Sequence, residues 1–391
     1  MGANLRSATR RRPSTRTPMK QNEILGTLRR QIVQGTYPPG ARLPLRSEIQ
    51  AHFGVSTATV QGALNRLIAD GFVQAQGRLG TYVTANPPHL CHYGLLFPGT
   101  PSVTQLRSRV WTALSNEAAG ISQTSYRRVH CYYGADGHAD SEISNKVIND
   151  MRQSRLAGLI LAFFDNNEIS GSPLVDEPGI PRVRITVEPG PRGIPGVCLD
   201  LCSFIDKALD YLLSRKRKRI ACLTVAGLQQ SYIDYLHAGI ERRKMQTRTY
   251  WTHSVQWPDT QWARPLTQLL MNPDQKTRPD GLIILDDNIV EHVTAGLVAQ
   301  HVHVPEDCDV VAYSNFPWSP PGVLPLKYLG FDVRELLRYA IEAIDLQRRS
   351  LEAPAVKLVK AKFEEELDKS SPDEGSAPLA NLAAPAPKQR R

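Results

Sequence analysis

The chain has no apolar run approaching the roughly 20 residues a membrane-spanning helix needs. Stretches such as GLILAFF at 158–164 have the length of a buried strand. Its six cysteines (Cys91, Cys131, Cys198, Cys202, Cys222 and Cys308) form no CxxC and no Cys/His zinc spacing. Most lie inside apolar strand-like runs, where a free thiol packs as a small core residue, a usage that fits a reducing cytoplasm. A phosphate-cradling GxGxxG or Walker loop, a GxSxG elbow and a metal-ligand set are all missing, which argues against an enzyme and gives no cofactor or metal to expect. Acids are scarce in one place above all. Residues 1–88 hold twelve Lys and Arg against Glu23, Glu48 and Asp70, and this difference is the whole formal charge of +9. The remainder of the chain is neutral. A small basic unit on a larger neutral one points to a polyanion-binding module attached to a separate body.

The 391 residues suit two globular units plus tails. Residues 1–17 are poor in apolar side chains and read as a disordered basic arm. SATRRRPSTRT has no apolar segment behind it, against a secretory signal, while its Arg/Ser-rich composition leaves an organellar transit peptide open. In MKQNEILGTLRRQIVQ, Ile24, Leu28 and Ile32 recur at i, i+4, i+8 and predict an amphipathic helix. A short helix over 46–52, the turn FGVS with Ser56 as N-cap, and a third helix over 57–70 follow. FVQAQ, GRLG and TYVT then form a two-stranded hairpin. Three helices and a hairpin within 18–84 are winged helix-turn-helix anatomy, an α+β head.

Residues 85–90 read as a linker. From 91 to 367, strand-like runs (HYGLLFPG, YRRVHCYYG, GLILAFF, PRVRIT, VCLDL, RIACLTVAG, YWTHSVQW, GLIILDD, DVVAYSN) alternate with helical segments. This predicts α/β architecture with helices on both faces of parallel sheets. The length and a break near Asp200 favour two doubly wound lobes. Residues 368–391, rich in Pro, Ala and Ser, read as a disordered tail.

The polar side of the third helix carries no carboxylate between Phe53 and Leu67. Such a side suits the major groove, where flanking phosphates would repel an acid. Thr57, Gln61 and Asn65 fall on one stripe, and amides can bond adenine N6 and N7 for roughly 1–3 kcal/mol of discrimination. The candidate DNA-binding set is Arg46, Ser56, Thr57, Thr59, Gln61, Asn65, Arg66, Arg78 and Gly80. Arg66 lies off the stripe and is assigned to phosphate. The amides near Ser56 offer a second phosphate site. Arg78, between Gly77 and Gly80, stands at a wing tip suited to the minor groove.

Residues 19–83 resemble the GntR family of bacterial transcription regulators, carried by IVQGTYPPGARLP, FGVSTATVQGAL, RLIADGFV and GRLGTYV. Ser47, Thr57 and Gln61 stand where that family usually has guanine-reading arginines, so the resemblance implies the docking mode but another operator sequence. Residues 90–366 are similar to the effector domain of lac-repressor-type regulators, the periplasmic-binding-protein fold. HYGLLFPG, AGLILAF, IPRVRIT, RPDGLIILDD, VPEDCDVVAYSN and LKYLGFDVRELLRYAIEAI occur in that family's order. The combination resembles an arabinose-repressor-like branch of GntR regulators. It implies a homodimer on a two-fold symmetric double-stranded DNA operator, cytoplasmic and nucleoid-associated, with a small effector, often a sugar, closing the cleft.

Ligands of open α/β sheets bind beyond the carboxyl ends of strands, which gives the effector candidates Phe97, Asp165, Thr186, Trp257, Asp286, Ser314 and Asn315. By resemblance Trp257 and Asp286 match ligand-touching positions. Ser314 replaces a sugar-binding aspartate, and Leu236 stands about where the family has a ligand-binding arginine. The leading expectation is a ligand-responsive, sequence-specific DNA-binding regulator. The alternative is an architectural DNA-binding protein without effector control; an enzyme built on the body is a distant third. GADGHAD at 134–140 reads as a strand-to-helix loop rather than a metal site.

Overall fold

The computed structural model describes residues 16–99, 108–138, 140–164, 169–188 and 193–367. The expected arm and tail, and Asp165, lie outside the described residues, apart from the two arm residues that open the first helix. The described residues divide into two compact units, one holding those up to His92 together with Asn149–Ala157, the other Tyr93–Ile148 and Gly158–Leu367.

In the first unit, α1 (Arg16–Val33), α2 (Arg46–Phe53) and α3 (Thr57–Ala69) precede a hairpin of β1 (Val73–Ala75) and β2 (Thr81–Val83). The i, i+4, i+8 stripe of α1 meets Val60, Ala63, Leu64 and Leu67 of α3, and Phe72 and Val83 close the core beneath the hairpin. Each of these side chains is at most 3% exposed. Burying a Leu or Phe in this way contributes about 1.5–3 kcal/mol. The antiparallel register Val73↔Val83 brackets a short 3₁₀ turn, Gly77–Leu79. The expected linker is partly ordered: Pro88–Cys91 makes one helical turn (α4), and His89 stacks on Phe72 at 5.8 Å.

Asp70, which ends α3, anchors a charged cluster in this unit. It accepts from Arg29 at 2.5 Å and from Arg155 at 3.3 Å, and Arg155 also pairs with Asp150 at 2.7 Å. Arg29 lies 5.3 Å over the Phe72 ring. Burial pulls its guanidinium below the ordinary value, opposed by Asp70.

The second unit holds two six-stranded sheets. The first runs β13-β7-β6-β5-β3-β4, built from β3 (His92–Phe97), β4 (Arg128–Tyr133), β5 (Gly158–Ala162), β6 (Arg182–Thr186), β7 (Gly196–Asp200) and β13 (Val356–Lys360). The second runs β14-β12-β11-β10-β8-β9, from β8 (Ile220–Val225), β9 (Thr252–Val255), β10 (Gly281–Ile284), β11 (Asp309–Phe316), β12 (Lys327–Asp332) and β14 (Lys362–Phe363). Adjacent strands from β13 through β3, and from β12 through β9, are parallel; β14 alone among the described pairs of this second sheet runs antiparallel. Continuous apolar runs such as Gly158–Ala162, buried throughout, are what a sheet covered on both faces requires. Asp200 ends β7 and caps the next helix, so the chain leaves the first lobe where the sequence break is seen. It returns after Asp332 through the helix Val333–Arg348, and crosses again between Lys360 and Lys362. Gly330 sits opposite Ser314 so closely that a Cβ there would lie 1.8 Å from the Ser314 carbonyl oxygen, which permits no side chain.

Among the described residues no helix is long and apolar enough to cross a membrane, and no group of three His, Cys, Asp or Glu is placed to hold a metal. In GADGHAD, Asp136 accepts from the His138 amide at 3.0 Å and the Ser144 hydroxyl at 3.2 Å, a local turn.

Candidate DNA-binding face and effector cleft

Ser56 caps α3: its Oγ accepts from the Thr59 amide at 3.3 Å and shares a hydrogen bond with Thr59 Oγ1 at 2.9 Å. This corrects the expectation for Thr59. It is buried and its hydroxyl serves the cap, so it does not belong to the polar face. Thr57 and Asn65 are exposed and Gln61 half-buried. The Gln61 amide donates to Asn65 Oδ1 at 2.6 Å, so the two amides form one rigid pair that leaves an outward acceptor on Gln61 and an outward donor on Asn65. The Thr57 hydroxyl donates to Gln50 Oε1 at 3.0 Å, tying the start of α3 to α2. Arg66 is exposed but donates to Asn22 of α1 at 2.9 Å. Arg46 is exposed as the first residue of α2, and Glu48 caps that helix by accepting from the Leu45 amide at 2.7 Å.

Arg78 is exposed in the wing turn. Gly80 has φ +113°, and a Cβ there would lie 3.0 Å from Arg42 Nε, so the missing side chain makes room for a second guanidinium beside the wing. Arg42 also bridges Tyr82 as an added antiparallel rung. Sequence reasoning missed it because it lies in a Pro/Gly-rich connector; its signal was a lone cation between PPG and LP.

In the body, the Arg109 amide, which opens the helix Arg109–Thr124 after β3, donates to Asn288 Oδ1 beyond β10 at 3.0 Å. The Arg109 guanidinium lies 3.8 Å from Glu291. Tyr232 donates to the Val187 carbonyl at 3.4 Å, and Gln229 to Glu188. These bonds join loops at the carboxyl ends of both sheets, so the two lobes face each other across those ends.

Two effector candidates are brought into one cluster. Asp286 Oδ1 accepts from the amide and Nδ2 of Asn288 at 2.8 and 2.7 Å. Asn315 Nδ2 donates to Asp287 Oδ2 at 2.7 Å. Burial raises both carboxyls. Asp287 is pushed up to about 7 by burial first and the Asp286 charge second, with the Asn315 bond and Arg109 opposing. Asp287 was missed although it neighbours a predicted residue, because one of two adjacent aspartates after a strand reads as a loop acid.

Phe97 and Ser314 are placed differently from the expectation. Phe97 is fully covered, stacked on Tyr133 at 4.9 Å and tilted against Trp111 at 5.3 Å, so the partly exposed aromatic edges belong to Trp111 and Tyr133. Ser314, within β11, is fully buried and donates to Ser319 Oγ just beyond that strand at 2.8 Å. Thr186, at the end of β6, accepts from the Glu188 amide at 3.3 Å. Trp257 is half-buried just beyond β9. Leu236 is fully buried in the helix Gln230–Arg242 and brings only apolar surface there.

This is a winged helix-turn-helix head followed by a two-lobed body with its cleft at the strand ends. Residues 20–83 match the bacterial regulatory proteins of the gntR family, and residues 209–361 match a periplasmic binding protein-like domain, so the chain joins a GntR-type head to a periplasmic-binding-protein-like body. It is 39% identical over 61 residues to the mannosyl-D-glycerate transport/metabolism system repressor MngR of Escherichia coli (strain K12), covering 16% of this chain and 25% of that protein. Over 341 residues it is 22% identical to the arabinose metabolism transcriptional repressor of Geobacillus stearothermophilus, covering 80% of this chain and 88% of the relative. The solved structure of a LacI family transcriptional regulator from Lactobacillus casei with bound glucose matches with TM-score 0.51 at 17% identity, over 70% of this chain and 97% of that one. At that identity the likeness is one of fold.

Proposed function

We propose that the protein is a ligand-responsive, sequence-specific DNA-binding transcription regulator, a repressor acting as a cytoplasmic, nucleoid-associated homodimer. The observation that carries it is the acid-free face of α3. Thr57 and the hydrogen-bonded Gln61–Asn65 pair lie within residues 1–88, whose charge excess equals the net charge of the whole chain, with Arg78 and Arg42 on the wing beside it. Arg46 and Arg66 supply phosphate contacts, and the amides of Thr57 and Ala58 at the capped start of α3 offer an anion site. The relatives named as repressors support this reading, and the cleft between the lobes supports a small polyhydroxy effector, with Asp286, Asn315, Thr186, Trp257 and Asp165 as its candidate contacts. Effector binding that favours one arrangement of the lobes would change operator affinity by its differential affinity for the two states.

Mobility-shift titration with duplexes from the protein's own genomic neighbourhood tests the reading. Tight, salt-sensitive binding to one fragment over random DNA is expected, and release or strengthening by a metabolite. Equal binding to every duplex would favour an architectural role and sink the regulator assignment.

A further inference from the structure

The cluster around Asp287 offers acceptors and few donors. Asn315 is 1% exposed, and while its Nδ2 is held by Asp287, its Oδ1 is shielded from solvent and has no partner among the described residues. An orphaned buried carbonyl of this kind costs about 1–3 kcal/mol. Next to it stand two adjacent carboxylates whose donors among the described residues are the backbone and side-chain amides of Asn288, the side chain of Asn315 and the Asp287 backbone amide. Arg109 is the cation that acts on both, and its guanidinium is shared with Glu291. Glu188 adds a further acid where the lobes meet. A hydroxyl brings one proton to such a corner, and a carboxylate or phosphate brings a like charge. An ammonium brings three donors and the opposite charge.

From the orphaned Asn315 carbonyl beside the Asp286–Asp287 pair, we infer that the effector carries an ammonium group seated among these three side chains, in a hydroxylated aliphatic amine of the amino-sugar or amino-polyol class. The inference deepens the effector-cleft reading above and rests on it.

Calorimetric titration and thermal shift of the full chain with matched sets test it: D-glucosamine against D-glucose and D-glucuronate, D-galactosamine against D-galactose and D-galacturonate, and 1-amino-1-deoxysorbitol against sorbitol and gluconate. At least one amine should bind about tenfold or more tighter than its neutral partner, a gap below the ceiling for a buried charge-assisted contact. Asp286→Asn, which keeps the shape and a hydrogen-bonding end, should cut the amine-over-neutral affinity ratio to about threefold or less. A neutral or carboxylated member binding as well as its amine overturns the charge class and leaves the effector cleft standing. No binding by any member overturns the proposal, and operator binding unaffected by every compound then counts against the cleft reading as well.

Discussion

The head and the body handle polar side chains in opposite ways. On the head, Arg46, Thr57, Asn65 and Arg78 are exposed, and their hydrogen bonds, where present, run between surface neighbours. In the body, Asp287 and Asn315 are at most 2% exposed, and one carbonyl has no donor among the described residues. A partner too large to enclose is met by side chains that stay solvated until contact, so the head carries little strain and its affinity is set by salt. A small ligand must be surrounded, and the groups that receive it bear the desolvation cost beforehand.

That contrast can be broken at its strongest points first. Gly330→Ala puts a methyl group into the Ser314 carbonyl and should cost the body more than about 4 kcal/mol, beyond the range of ordinary point mutants. In denaturant melts of the full chain the body transition should fall or vanish while the head transition persists. Leu67→Ala should do the reverse, costing the head about 2–5 kcal/mol and abolishing operator binding without altering ligand titration.

The Asp286–Asp287 pair gives the body a pH signature. Asp287 is raised from 3.8 in the unfolded chain to about 7 when folded, so its contribution to stability is fully present below about pH 4 and is lost as pH rises through 7. Against wild type, Asp287→Asn should gain relative melting temperature steadily between those limits and level off above them. A difference that stays flat with pH would refute the buried-pair account.

Smaller effects sharpen the head. Gln61→Ala should weaken operator binding by roughly 1–3 kcal/mol and random DNA much less. Because Gln61 and Asn65 are bonded to each other, the double alanine variant should lose less than the two single losses added together, as a mutant cycle would read. Arg78→Ala should lower the slope of log affinity against log salt by about 1, evenly on operator and random duplexes. Ser56→Ala, which removes the α3 cap, should cost about 1 kcal/mol of head stability.

Much of the fold was legible in the sequence because its periodicities are strong. The α1 stripe, the Ser56 cap, the wing and nine of the body's strands stand where the pattern puts them. Of the strands left out of the alternating series, β12 to β14, β13 has the plainest reason: VKLVK is exposed at four of five positions and carries almost no hydrophobic signal. The site was less legible. Strand ends put Asp286 and Asn315 among the effector candidates, but which end residues turn inward depends on packing that no spacing encodes. Phe97 is covered by a tryptophan and a tyrosine from elsewhere in the chain, Thr59 turns to its cap, and Arg42 reaches the wing only because residue 80 has no side chain.

Residues 356–363 give the first sheet one border strand and, two residues later, give the second sheet another. One short hem therefore finishes both halves of the body at once. A stop codon placed before Val356 would unravel a margin of each lobe, so trimming the C-terminus for expression is safe only beyond that stitch.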